Sequence, residues 1–195
     1  MNIEKIEIRD WFFSGSRNMG PDGLCHIKSL PCLSVVQAQE GSYDIGLNDS
    51  PIQQTGEGGF FIAPAQVKQT IVHHFSHKAA RMTARWLFLD VVFNGKYRYE
   101  DLFVPPVILP ESHQRIMDGL FDKLTEQEDV CDCMSLLYQV IKSLIQVSET
   151  KAYQTSDALL SAIKYIHAHF ADRITVRELA AAANMSESNF YAVFR

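Results

Sequence analysis

Residues 171–195 read ADRITVRELAAAANMSESNFYAVFR and carry the most specific structural signals in the chain. Thr175 followed by Glu178 is a capping box, in which the hydroxyl accepts one free backbone N–H and the carboxylate accepts another. Ser186 repeats the helix-start signal, with Met185 before it and Phe190 four positions inside the helix. The pattern therefore predicts two short helices that begin at these two caps.

The segment between the two caps predicts how the helices meet. Asn184 tolerates the left-handed backbone conformation better than most residues, so it is predicted to end the first helix. Ala180 is small enough for the two helices to cross closely. The residues predicted to be buried are Leu179, Met185, Phe190 and Val193. A helix-turn-helix motif consists of a short helix, a turn of three to four residues and a second short helix, as predicted here. A plain helical hairpin would share these features.

The second helix, predicted over residues 187–195, would present its exposed side chains to DNA. In a helix-turn-helix motif this helix enters the major groove with its early residues facing the base edges. Asparagine can read adenine, and arginine can read guanine or hold a phosphate. The residues predicted to bind DNA are Ser188, Asn189, Ala192 and Arg195.

The run over residues 156–195 resembles the beginning of the DNA-binding domain of AraC/XylS-family transcription regulators. The matching positions are Tyr165-Ile166, Leu179-Ala180, Met185-Ser186 and Phe194-Arg195. The resemblance implies a cupin-like sensing barrel before this segment, a helix that pairs two subunits, and two helix-turn-helix units. Because the chain stops at residue 195, inside the first recognition helix, we expect it to be truncated relative to that family pattern.

The first half of the chain has the pattern of a β-sheet protein. Short apolar or alternating runs predict strands at residues 3–8, 33–37, 60–63, 69–73 and 85–93. Turn residues separate them, and Asn94-Gly95 is the strongest hairpin signal. Without helical periodicity between them, such strands predict a sandwich or barrel. With the family resemblance, the expected fold is α+β: a cupin-like jelly-roll barrel with C-terminal helices, then a small all-α partial helix-turn-helix domain.

Two amphipathic helices are predicted after Pro110. Apolar residues recur at steps of three and four over 116–124 and again over 134–145. The family resemblance implies that the second helix pairs in a homodimer, with Leu137, Ile141 and Leu144 facing the partner, but packing within one chain would give the same stripe. The polar stretch 148–156 marks a boundary. The predicted segments are a sensing barrel at 1–110, a helical dimerisation segment at 111–150 and the first helix-turn-helix unit at 151–195.

The family resemblance also implies that the barrel interior receives a small-molecule effector. Ligand pockets combine apolar walls with a few placed polar groups, and the predicted contacts are Tyr43, Phe60, Gln69, His73, Trp86 and Phe88. Filling the core is the alternative for each residue. Metal-dependent cupin enzymes use a histidine pair where residues 41–50 have none, and Gln69 occupies the position of their later histidine. An amide is a poor ligand for a catalytic metal, so no metal, cofactor or catalytic residue is predicted.

Charge and composition limit the remaining possibilities. The net charge of −5 divides into −6 over residues 1–150 and +1 over residues 151–195, which is not typical of a stand-alone nucleic-acid binder. DNA binding is therefore expected from a local surface and to be weak in this chain alone. Without a signal sequence or an apolar run of about 18 residues, a cytoplasmic location away from membranes is expected. The predicted function is a non-enzymatic, ligand-responsive DNA-binding transcription regulator sensing a sugar or other small metabolite; the alternatives are a metal-independent cupin enzyme or isomerase, or a sugar-binding module.

Overall fold

The computed structural model describes residues 3–151, 157–170 and 172–193, without the side chains of residues 157–160 and 193. The chain forms two compact units, Met1–Lys151 and Ala152–Arg195. The elements of the first unit are β1 (Ile6–Asn18), β2 (Cys25–Ser29), β3 (Leu33–Glu40), β4 (Ser42–Leu47), β5 (Gln53–Gln54), β6 (Phe60–Ala63), β7 (Lys68–His74), β8 (Thr83–Phe93), β9 (Tyr97–Arg98), α1 (Tyr99–Leu102), β10 (Phe103–Val104), α2 (Glu111–Glu126), α3 (Val130–Val147) and β11 (Glu149–Thr150). The second unit contains α4 (Asp157–Ala168), α5 (Val176–Ala182) and α6 (Glu187–Val193).

Two antiparallel sheets form the body of the first unit. The first sheet has the order β1-β8-β3-β6 with β9 paired to β8, and the second has the order β2-β7-β4-β5. One apolar core contains side chains of both sheets, including Val36 and Phe61 from the first and Tyr43 and Ile71 from the second. The sheets therefore pack face to face, and the predicted α+β class is confirmed.

The first sheet is buried on both faces, and β8 shows this most clearly. Successive side chains of a strand point to opposite faces. Ala84 and Trp86 face the second sheet, whereas Leu87 and Leu89 belong to a separate core that includes the helices. The nearly continuous apolar run over residues 86–93 is typical of a strand covered on both sides.

Helices α2 and α3 cover the outer face of the first sheet. Pro110 is the N-cap residue of α2, as its sequence position predicted, and the Asp129 carboxylate caps α3 by accepting the backbone N–H groups of Cys131 and Asp132. Among the described residues, α3 is long and apolar enough to cross a membrane by length and composition. Seven of its side chains are nevertheless buried in the present fold: Cys133, Leu136, Leu137, Val140, Ile141, Ser143 and Leu144.

The burial of α3 corrects one prediction. Leu137, Ile141 and Leu144, expected to face a second copy, are fully buried in the core that α3 shares with the first sheet. The amphipathic stripe arises from packing within one chain, which was the alternative that the sequence left open. These three side chains are unavailable to a partner, so a dimer interface would have to use other residues.

A buried guanidinium ties α2 to the first sheet. Arg85 on β8 is 3% exposed, and its Nη atoms donate to the carboxylates of Asp118 and Asp122 at 2.7 Å each. Its Nε donates to the amide oxygen of Gln37 on β3 at 2.6 Å, and the guanidinium lies 5.5 Å from the ring centre of Phe121. Both carboxylates are also partly exposed to solvent, so this network lies at the solvent-facing edge of the contact between α2 and the first sheet.

The end of α3 is held against the segment that follows β9. The Tyr99 hydroxyl lies 2.7 Å from Ser148 Oγ, which itself donates to the carbonyl of Leu144. β11 pairs with β10, and the backbone N–H of Lys151 donates to the carbonyl of Leu102. The first part of the predicted linker is therefore ordered against the sheet unit, while residues 152–156 lie outside the described part of the chain.

The second unit is a group of short helices around a small apolar core. The capping box at Thr175 and Glu178 is confirmed, and Asn184 has the predicted left-handed conformation with φ of 52°. Buried core residues are Ala162, Ala180, Ala183 and Phe190, with Val176, Leu179 and Met185 packed against them. The predicted Val193 contact lies outside the described side chains.

The buried face of α4 is formed by a small residue. Ile163, Ile166 and Phe170 recur in the sequence at helical spacing, but α4 ends at Ala168 and Phe170 is 82% exposed. Ile163 and Ile166 are also exposed, whereas Ala162 is buried. Because its side chain is small, Ala162 allows α4 and α5 to approach closely. A small residue gives little signal in the hydrophobic pattern of the sequence, so this contact could not be predicted from it.

Candidate functional site

A cavity of about 180 Å³ lies between the two sheets of the first unit. Its lining residues are Met19, His26, Lys28, Val36, Tyr43, Phe61, Ile71, Trp86 and Phe88. Most of this wall is apolar or aromatic, and the polar groups come from one histidine, one lysine and one tyrosine. This combination of apolar walls and few polar groups is typical of a small-molecule site.

Strand register brings the polar groups onto one inner face. In the second sheet, Lys28 on β2 lies opposite Gln69 on β7, and Tyr43 on β4 lies opposite His73 on β7. Because side chains alternate along a strand, Gln69 and His73 share one face of β7. Both are buried, whereas Lys68 is exposed.

His73 offers an unsatisfied acceptor next to the cavity. Its Nδ1 lies 2.8 Å from the carbonyl oxygen of Met19, which can only accept, so Nδ1 carries the proton. Its ring packs edge-on against those of His26 and Tyr43, with centroids 5.0 and 5.1 Å away. Burial lowers the pKa of His73 and that of His26, which favours neutral rings. Nε2 of His73 is therefore a lone-pair acceptor, and it is buried without a partner among the described residues.

Gln69 is the most unusual polar group of this face. It is 0% exposed, and neither its amide nitrogen nor its amide oxygen has a hydrogen-bond partner within the described ranges of the chain. Leaving a buried donor or acceptor unsatisfied costs about 1–3 kcal/mol per group. Such a group is an exception that calls for a ligand, a water molecule or another partner.

Lys28 is a partly buried residue that contributes a cation to the cavity wall. Its Nζ lies 5.9 Å from the ring centre of Phe88, and burial lowers the pKa of the ammonium group. In the part of the chain that the structure describes, no carboxylate pairs with it. Burial also raises the pKa of Tyr43, so this phenol is neutral and can donate or accept a hydrogen bond.

Three of the six predicted effector contacts, Tyr43, Trp86 and Phe88, line the cavity. Gln69 and His73 are not lining residues: Gln69 is the cross-strand partner of the lining residue Lys28, and the His73 ring packs against those of His26 and Tyr43. Phe60 does not line the cavity either: it lies on the other face of the first sheet, where its ring contacts Phe121 at 5.2 Å. Its neighbour Phe61 lines the cavity instead, because successive side chains of a strand point to opposite faces.

His26 and Lys28 are the lining residues that the sequence concealed. Their strand β2 was not predicted, since the segment CHIKS has its polar side chains inside and its apolar residue outside. Ile27 is 62% exposed, whereas His26 and Lys28 are partly buried. Polar residues that alternate with an exposed apolar residue indicate a polar interior. This pattern can be recognised in the sequence only when the position of the strand is already known.

The histidines at 73–77 do not converge. His73 faces inward, His74 lies 2.8 Å from a carboxylate oxygen of Asp44, and His77 lies beyond the end of β7. His77 therefore does not share a strand face with His73, because the strand ends at His74. Over the described ranges, no group of three or more His, Cys, Asp or Glu residues could hold a metal ion.

The predicted DNA-binding residues lie on the short helix α6. Phe190 is buried against α5 and α4, and Ser188, Asn189 and Ala192 are exposed. Ser186 Oγ accepts the backbone N–H of Asn189 at 3.3 Å, which caps the helix. Arg195 lies outside the described residues. The structure thus leaves one face of α6 free while the opposite face holds the helix in place.

Sequence comparison identifies no relative, since no family model and no curated protein matches the chain. Solved structures that match part of the chain include the AraC-like transcriptional activator CuxR, at 13% identity over 87% of this chain and 66% of that chain, with a TM-score of 0.48. An apo variant of ToxT from Vibrio cholerae matches at 6% identity over 94% of this chain and 74% of its own, with a TM-score of 0.45.

A cupin domain of Schizosaccharomyces pombe Cnp3 also matches, at 13% identity over 46% of this chain and 63% of that domain, with a TM-score of 0.35. Enzymes occur among the matched structures as well. The chain spans less than two thirds of CuxR and of the Cnp3 domain. The TM-scores of these three structures are all below 0.5, and a shared fold would not by itself define a function.

Proposed function

We propose that this protein is a ligand-responsive, DNA-binding transcription regulator that acts in the cytoplasm as a homodimer and has no catalytic activity. The observation that carries the proposal is the geometry of α5 and α6. Their caps and the left-handed Asn184 fix a short turn, and Phe190 anchors α6 so that Ser188 and Asn189 remain exposed. A helix fixed on one face and polar on the other suits the major groove.

The chemistry of the exposed face supports DNA recognition. Asn189 has a side-chain amide that can contact an adenine edge through two hydrogen bonds, and Ser188 can contact a base or a phosphate. Ala192 is small enough to allow close approach to a thymine methyl group. Exposed arginines at positions 173 and 177 of the same unit can supply phosphate contacts.

The responsive part of the proposal rests on the cavity and on β8. Trp86 lines the cavity, and the adjacent Arg85 faces the opposite side of the sheet, where it binds α2. A ligand that displaces Trp86 therefore acts on a strand that also holds the helix layer. It changes DNA binding only if its affinity differs between the arrangements that bind and do not bind DNA.

Selection from a random DNA duplex library tests DNA recognition directly. The protein is attached densely to beads at low salt, so that neighbouring copies compensate for weak individual binding. We expect enrichment of a common sequence, and we expect Asn189→Ala to change or abolish that enrichment. Gln146→Ala, an exposed amide on α3, is the matched control and should behave like the wild type. Recovery of only random duplexes would overturn the proposal.

Sedimentation velocity tests the homodimer separately. A sedimentation coefficient that increases over a micromolar concentration range toward the value of two chains would support it. Because Leu137, Ile141 and Leu144 are buried within one chain, their substitution should lower stability rather than dissociate a dimer. A coefficient that stays at the one-chain value throughout would refute the homodimer.

A further inference from the structure

We propose that the cavity between the two sheets binds a small apolar monocarboxylate, with its carboxylate at Lys28 and Gln69, rather than a sugar. The inference rests on the ligand-responsive part of the proposed function and specifies the chemical class of the ligand. It follows from the size of the cavity, the position of the lysine in its wall, and the buried polar groups for which the described residues offer no partner.

The volume sets the size of the ligand. A protein cavity of about 150 Å³ with apolar walls can hold a benzene molecule. The present cavity, at about 180 Å³, has room for a six-carbon ring or a short chain together with one carboxylate. Val36, Phe61 and Ile71 offer such a body apolar contact and no hydrogen bonds.

The charge in the cavity selects an anion. Lys28 reaches over the Phe88 ring at 5.9 Å and forms no ion pair within the described residues. Partial burial penalises an ammonium group that has no anion beside it, and a carboxylate at hydrogen-bond distance offsets that penalty. The neighbouring imidazoles of His26 and His73 favour their neutral forms and do not compete for the anion.

Gln69 completes the carboxylate end. It is the cross-strand partner of Lys28, so the two side chains lie side by side on the inner face of the second sheet. Its fully buried amide nitrogen has no acceptor among the described residues. A carboxylate accepts from both Lys28 and Gln69, and therefore satisfies an unpaired charge and an unpaired donor together.

The other end of the inner face is poorly suited to a sugar. His73 lies four residues from Gln69 along β7, which is about 13 Å, and its Nε2 supplies a single acceptor. A sugar brings several hydroxyl groups, each of which needs a partner when it is buried. Between the two ends the walls are Val36, Ile71 and Trp86, which provide almost none.

Fluorescence of Trp86 measures binding in the whole chain. Trp11→Phe removes the only other tryptophan, so the signal comes from the cavity wall. The probes are benzoate and hexanoate, each with its neutral amide, and D-glucose. We expect saturable binding of at least one acid, with an affinity at least tenfold higher than that of its amide. Saturable binding of glucose without binding of either acid would overturn the inference, as would equal binding of acid and amide.

Lys28→Met tests the assigned cation. We expect it to reduce acid affinity at least tenfold while leaving the affinity for the matching amide within about threefold, which shows that the cavity is still folded. Lys68→Met is the matched control, because Lys68 lies on the outward face of β7 next to Gln69. Unchanged acid binding in Lys28→Met, with the amide also unchanged, would refute the assignment.

The two proposals fail in different ways. Acid binding without any selected DNA sequence would leave the cavity assignment intact and refute the regulator. A selected DNA sequence together with acids that do not bind would refute the cavity assignment alone. The fluorescence titration requires no DNA, so neither result depends on the other experiment.

Discussion

Arg85→Met should destabilise the first unit by about 2–3 kcal/mol. The aliphatic part of methionine replaces the arginine stem, so little packing is lost. The substitution removes the donors to Gln37, Asp118 and Asp122, and the consequences for these three acceptors differ. The carboxylates of Asp118 and Asp122 are 51% and 64% exposed, so water can replace the guanidinium there at low cost.

The main cost therefore falls on Gln37. Its amide oxygen accepts from Arg85 Nε at 2.6 Å, and the residue is 3% exposed, so no water replaces that donor. A buried acceptor left unpaired costs about 1–3 kcal/mol, and loss of the ion pairs and of the contact with Phe121 adds the remainder. In a unit of this size, such a loss lowers the Tm by about 4 to 12 °C.

Urea denaturation followed by circular dichroism, with calorimetry for the Tm, provides the measurement. Arg85→Met/Gln37→Met removes the orphaned acceptor along with the donor and should recover more than half of the loss. Asp122→Asn should cost less than about 1 kcal/mol, because that carboxylate is largely solvated. If Arg85→Met is as stable as the wild type, or if the double variant is less stable than the single variant, the argument that Gln37 determines the cost is wrong.

Three further predictions follow from the titrating groups and the helix cap. Because His26 and His73 have lowered pKa values in the folded chain, the unfolded chain binds protons near pH 6.5 while the folded chain does not. The free energy of unfolding should therefore fall as the pH decreases below 6.5. Urea titrations at pH 7.5 and 5.5 that give equal free energies of unfolding would contradict this. Lys28→Met should stabilise the unliganded protein at pH 7, and this gain in stability should shrink as the pH rises toward the ordinary lysine pKa of 10.5. A variant that is less stable than the wild type at pH 7 and also at the higher pH would show that the ammonium group is not desolvated. Thr175→Ala should lower the stability of the second unit by about 1 kcal/mol through loss of the helix cap, and it should raise the pKa of Glu178. Hydrogen exchange of α5 measures the first effect and a carboxyl titration by NMR measures the second. If both values are unchanged, the capping box does not form.

Features that depend on local sequence were predicted correctly. The capping box at Thr175, the left-handed Asn184 and the helix start at Pro110 each involve residues within one helical turn, so the sequence pattern contains the whole interaction. The α+β class followed for the same reason, because strand and helix periodicities differ along the chain. Such signals do not require knowledge of which elements pack together.

Features that depend on register or on distant partners were not predicted. Phe60 and Phe61 are chemically identical, and only pairing of β6 with β3 decides which one faces the cavity. The stripe on α3 was compatible with a partner helix or with the chain's own sheet, and packing on the sheet is what occurs. Lys28 was not predicted because its strand has polar residues on the inner face, the reverse of the usual pattern. A folded protein tolerates such a reversal where a ligand can satisfy the inward polar groups.

The alternation of side chains along β8 connects the cavity with the helix layer. β8 supplies Trp86 to the cavity and Arg85 to the network on α2, and these residues are neighbours in sequence on opposite faces of one strand. A ligand that shifts β8 at Trp86 also changes the geometry of three hydrogen bonds that are only 2.6 to 2.7 Å long. Such bonds weaken steeply with distance and angle, so α2 must follow the strand or lose them. If the proposed function and the proposed acid site are correct, Arg85→Met should leave acid binding close to wild type and weaken the effect of the acid on selection from the duplex library, whereas Lys28→Met should weaken acid binding itself.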